Sequence, residues 1–137
     1  MLLWLFLLSC VTAGFSATGF FVIWLVEKPW FIRMVPSPYW RIGWCTVVAS
    51  VTVLLVLNFF FLLLSYNIYK GTGSAWSVQF AAWGAKWISP FTSALVIALL
   101  FGVHQHPLAT RGDAIALLFY AAAGILSVYW RTPLLGR

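Results

Sequence analysis

The stretch LLWLFLLSCVTAGFSATGFFVIWLV, residues 2–26, runs without a charged side chain until Glu27, Lys28 and Pro29 close it. At ~1.5 Å per residue such a helix is long enough to cross the ~30 Å hydrocarbon core of a bilayer. A secretory leader is the competing reading of an apolar run at this position, and Val11-Thr12-Ala13 would pass as a cleavage site. Against it, no basic residue precedes the run, and the run continues well past that site. Leu7-Leu8-Ser9-Cys10 matches a lipoprotein box only faintly, too early and without the basic start. Residues 2–26 therefore read as a first transmembrane helix.

The rest of the composition agrees. Of 137 residues, 64% are apolar and 7% charged, and the mean hydropathy is +1.00, values incompatible with a soluble globular surface. Glu27 and Asp113 are the whole acidic complement against eight Lys and Arg, giving a net charge of +6. The cations sit singly between apolar segments rather than as a stripe on a polar face, which excludes nucleic acid and leaves them for lipid headgroups. In an antiparallel pair of spans turning near residues 27–44, Cys10 lies ~24 Å deeper than Cys45. That separation is too large for a disulfide within one chain.

Residues 28–44, KPWFIRMVPSPYWRIGW, combine three cations, three prolines and the aromatics Trp30, Trp40 and Trp44. Indole rings favour the headgroup level and Pro36 and Pro38 interrupt a helix, so the segment is expected to lie along the membrane surface. A second span follows at 45–66, and Asn67, Lys70, Gly71, Gly73 and Ser74 read as an exposed turn. The next region contains Gln79, Lys86 and Pro90 and admits two readings: one long tilted helix, or an interfacial helix at 75–88 leading into a short span at 88–103. The spacing of Trp76, Phe80, Trp83 and Trp87 marks one aromatic face on a helix and favours the second. That face suits either lipid or a neighbouring subunit. A fourth span is expected at 113–130, with Thr110 and Asp113 at capping-box spacing before it. The expected fold is an all-α, single-domain, four-span bundle over 1–137, arranged as two hairpins with aromatic interfacial segments at 28–44 and 75–88. Lys28, Arg33, Arg41 and Arg111 fall on one side and Lys70, Lys86, Arg131 and Arg137 on the other, a tie under the positive-inside rule.

Chemistry-bearing constellations are sparse. Ser9, Ala13 and Ala17 recur every four residues in the first span, and Ala116, Tyr120, Ala123, Gly124 and Ser127 trace a similar seam in the fourth, the pattern that lets helices approach closely. Asn58, near the middle of the second span, needs a hydrogen-bond partner and is expected to find it on another helix. His104 and His106 form an H-x-H pair, but with no further His they do not complete a metal or haem site, and no cofactor beyond bound lipid is expected. The sequence offers no carboxylate pair, no nucleophile beside a base and no Gly-rich phosphate loop. These features point to a non-catalytic subunit of a larger respiratory, secretion or transport assembly in a bacterial or organellar inner membrane. Its partners would be other integral membrane subunits and lipids. The rival readings are a self-assembling pore or small permease, which would make the chain a homo-oligomer, and a membrane-embedded regulatory or immunity-type binder.

Overall fold

The computed structural model describes residues 1–101 and 110–132. These residues form α1 (Leu2–Val26), α2 (Pro29–Met34), α3 (Pro38–Val51), α4 (Val53–Thr72), α5 (Ala75–Gly84), a 3₁₀ turn (Ala85–Ile88), α6 (Ser89–Phe101) and α7 (Arg111–Tyr129), with no strand among them. Four helical runs are long and apolar enough to cross a membrane: Leu2–Val26, Val53–Thr72, Ala75–Leu100 and Arg111–Tyr129.

The second run differs from the expected 45–66. Helix begins earlier, at Pro38, breaks at Thr52 and then continues to Thr72. At the break the Thr52 N–H turns to the Ala49 carbonyl, and the Thr52 hydroxyl takes over the Val48 carbonyl that this N–H would otherwise serve, at 2.6 Å. Such back-bonding hydroxyls bend helices. At the other end, the residues expected as a turn stay helical because their polar groups are satisfied within the helix. Asn67 donates to the Leu63 carbonyl and Thr72 to that of Ile68. Gly73, at φ 67°, is the stop signal, and Ser74 caps α5 by accepting from the Ser77 N–H.

The third run also departs from the division at residue 88. The stretch Ala75–Leu100 is continuous helix, the first of the two alternatives for this region. Pro90 does not break it, because the preceding turn tightens. Proline has no N–H for the Lys86 carbonyl, so the Ser89 N–H turns back to Lys86 instead and residues 85–88 wind as 3₁₀. α5 packs on α7 and α4, whereas α6 packs on α1. Leu5, Leu8, Leu64, Ile68, Ala81, Ala85 and Val128 form the buried cluster where α1, α4, α5, the 3₁₀ turn and α7 converge.

α7 starts as its sequence indicates. The Asp113 N–H donates to the Thr110 hydroxyl at 3.2 Å and the Thr110 N–H to the Asp113 carboxylate at 2.7 Å, a complete capping box despite Asp in place of Glu. Cys10 and Cys45 are both free thiols.

Candidate functional site

The surfaces through which these helices meet, and those they leave open, are the features from which function can be argued. On α1 the small-residue face is buried: Ser9 is inaccessible and Ala13 nearly so, while Ala17 is half-buried. Ser9 donates to the Leu5 carbonyl within its own helix. The neighbouring hydroxyls reach across. Thr12 lies 3.0 Å from the Ala85 carbonyl, which the displaced Ser89 N–H has left room to accept, and the Ser16 and Ser93 hydroxyls are 2.6 Å apart. The serine pair joins α1 to α6, and Thr12 joins α1 to the 3₁₀ turn.

Between α5 and α7 the contact is closer still. Gly84 sits against the backbone of Gly124, and a Cβ at Gly84 would collide with it and approach the Tyr120 carbonyl oxygen. The Ser77 hydroxyl donates to the Ser127 carbonyl at 3.2 Å. Ala123 and Ser127 are half-buried beside this contact, whereas Ala116 is exposed. Gly84 and Gly124 thus form the crossing point. Gly124 belongs to the small-residue seam expected on the fourth span, but its pairing with Gly84, forty positions away, appears only in the fold.

The aromatic residues fall on outer surfaces. Trp30, Trp40, Trp44, Trp76, Phe80 and Trp83 are exposed, and Trp87 is half-buried. Trp30 stacks on Phe31. The residue that sequence reasoning missed here is Arg41, which is 5% exposed. Its Nη1 donates to the carbonyls of Val35 and Pro36 at 2.8 and 2.7 Å, closing the turn between α2 and α3.

Two polar side chains remain on the outside at the middle of the bundle. Leu57 packs on Gly14, the midpoint of α1, which fixes the depth of its neighbour Asn58. Asn58 is exposed and makes no hydrogen bond among the described residues. Lys86 follows Ala85, whose carbonyl faces Thr12, two residues from the same midpoint. Lys86 is also exposed, with its ammonium 5.9 Å from the centre of the Trp83 ring. A lysine at mid-bilayer costs about 2.5–3.5 kcal/mol on insertion scales. No group of three or more His, Cys, Asp or Glu suited to a metal occurs among the described residues, and His104 and His106 lie outside them.

No family model matches the sequence, and neither a curated protein nor a solved structure matches it.

Proposed function

We propose that this chain is an accessory subunit of a larger membrane assembly, acting through contact rather than catalysis. The observation that carries the proposal is Asn58, an exposed amide on α4 at the depth of the α1 midpoint, with no partner in its own chain among the described residues. In hydrocarbon an amide without a partner costs several kcal/mol, so the residue is best accommodated against a helix supplied from outside. Its surroundings suit a helix: Leu55, Leu62 and Tyr66 are exposed along the same side of α4 at spacings of three or four residues from one another and from Asn58.

In this reading α1 with α4, and α5–α6 with α7, are two hairpins in the bilayer. Trp30, Trp40 and Trp44 sit at one headgroup level, and Trp76 and Trp130 at the other. Lys28 and Lys70 support that placement, each lying over an aromatic ring one turn back along the chain, Trp24 and Tyr66. An apolar groove of about 410 Å³ between α1, the 3₁₀ turn and α7, lined in part by Leu2, Phe6, Trp87 and Ile125, would fit an acyl chain of the lipid expected to bind.

The test is extraction of native membranes in mild detergent, native electrophoresis and identification of copurifying chains. A band well above the mass of the chain in its micelle, containing other integral membrane proteins, is expected. A lone monomer band would overturn the proposal.

A further inference from the structure

Lys86 identifies the chemistry of the partner. It occupies the middle of a membrane-spanning run, points outward and has no counter-ion within reach among the described residues. The chain's two acidic side chains are both at span ends. Glu27 follows the last turn of α1, ~22 Å along that helix from Thr12. Asp113 is held in the cap of α7, ~16 Å along that helix from Gly124, which marks the level of Gly84. A lysine side chain spans neither distance.

We propose that Lys86 is the docking residue for a transmembrane helix of another subunit that carries an aspartate or glutamate at the middle of the bilayer. This rests on the reading of the chain as a subunit of a larger assembly, and it states what the partner must carry. Charge selects the occupant. A second copy of this chain would bring another lysine to the same depth and would hold its own carboxylates near the membrane faces. A purely apolar helix would leave the ammonium unpaired. A carboxylate at matching depth removes the cost of both charges at once, since buried ions in a membrane are retained where they pair.

The surrounding surface favours a helix over a small anion. Gln79, Trp83 and Lys86 recur at spacings of four and three and are all exposed, so they form one stripe along α5 and the 3₁₀ turn. A groove of about 490 Å³ lined by Ala75, Trp76, Gln79, Phe80 and Trp83 opens on that stripe. A helix laid there would meet the Gln79 amide about two turns from Lys86, with Trp83 between them. The 3₁₀ winding that places Lys86 on this side is set by Pro90 and its missing N–H.

The proposal is tested with the purified full-length chain in phosphatidylcholine vesicles. The probe is a synthetic 24-residue Leu/Ala transmembrane peptide carrying one aspartate at its midpoint, and association is read by energy transfer between fluorophores on the two molecules. Pairing about tenfold tighter than with the same peptide bearing leucine at that position is expected. Lys86→Gln should abolish the difference, Lys86→Arg should keep most of it, and moving the aspartate seven residues along the peptide should remove it. Lys86 is exposed, so the bundle should fold in both variants, which helix content by circular dichroism checks.

Equal affinity for the aspartate and leucine peptides would overturn the proposal. So would a preference that survives Lys86→Gln, or one that disappears when phosphatidylglycerol is added, because Lys86 would then be serving an anionic headgroup. A native assembly that is unchanged by Lys86→Gln would leave the subunit reading standing and this inference refuted. Selective pairing with the peptide by a chain that copurifies with nothing would refute the subunit reading instead.

Discussion

At Gly84 the approach of α5 to α7 depends on the absence of a methyl group. The atoms that a Cβ would strike belong to the Gly124 backbone, which cannot rotate away as a side chain could. Gly84→Ala is therefore expected to push the helices apart and to destabilise the protein by about 1–3 kcal/mol, the range for overpacking a close contact. Gly43→Ala is the control, because nothing lies within 4 Å of the added carbon there. Thermal unfolding in detergent, followed by circular dichroism, should show a lower midpoint for the first variant only, and equal midpoints would show that the crossing has slack. This pair also marks what a sequence can reveal at the scale of single residues. Thr110 and Asp113 are legible as a cap because the partners are three positions apart and the geometry is local. The Gly84–Gly124 contact exists only after two distant helices are brought together, and neither glycine carries that information. Arg41 is a similar case: read as a loop cation, it is consumed by the carbonyls of Val35 and Pro36.

Among the elements, the 3₁₀ turn at Ala85–Ile88 does the most to orient its neighbours. A 3₁₀ winding advances ~120° per residue against ~100° in an α-helix, so four residues rotate α6 by roughly 80° relative to α5. That rotation brings Ser93 onto α1, where its hydroxyl meets Ser16. Pro90→Ala restores an N–H for the Lys86 carbonyl and is expected to relax the turn to α-helix, swinging Ser93 away and returning the Ala85 carbonyl to the Ser89 N–H. Disulfide formation between cysteines placed at Ser16 and Ser93, in a chain with Cys10 and Cys45 replaced by serine, reads this directly. Efficient cross-linking with Pro90 in place and a severalfold loss on Pro90→Ala are expected, and equal yields would mean that the turn is imposed by packing rather than by proline. At this scale the sequence was informative where local signals agreed and ambiguous where they conflicted. Residues 2–26 carry no break and form one helix. Over 75–100, the polar residues and Pro90 argue for a division that the tightened turn makes unnecessary. The expected turn at 67–74 shrank for a related reason: polar side chains that suggest solvent in a sequence also satisfy themselves on helix carbonyls, as Asn67 and Thr72 do.

The whole molecule leaves much of its apolar surface uncovered. It exposes 9652 Å², whereas a compact soluble chain of its 15.4 kDa mass would expose about 7,200 Å², and large apolar side chains on every spanning run contribute to the excess. Surface of this kind requires lipid or other helices, and it makes the two ends of the bundle distinct. Met1 lies against Gly71, and Arg131 donates to the Gly71 carbonyl at 3.0 Å, so the start of α1, the α4–α5 turn and the end of α7 share one end. Glu27, the α2–α3 segment and the start of α7 share the other. The structure also alters the charge count without breaking its tie, since Arg41 is occupied as a cap and Lys86 lies at mid-depth, one cation withdrawn from each side. Charge gives no orientation, but the grouping of positions is fixed by these contacts. Single cysteines at Glu27, Arg33 and Arg111 should all react with a membrane-impermeant maleimide from one face of sealed vesicles. Cysteines at Ser74 and Thr132 should react from the opposite face, in a chain with Cys10 and Cys45 replaced by serine. Reaction of the cysteine at Arg111 from the same face as that at Ser74 would mean that α7 does not cross, and the Gly84–Gly124 contact would then have to form outside the bilayer, where α5 could not serve as part of a membrane span.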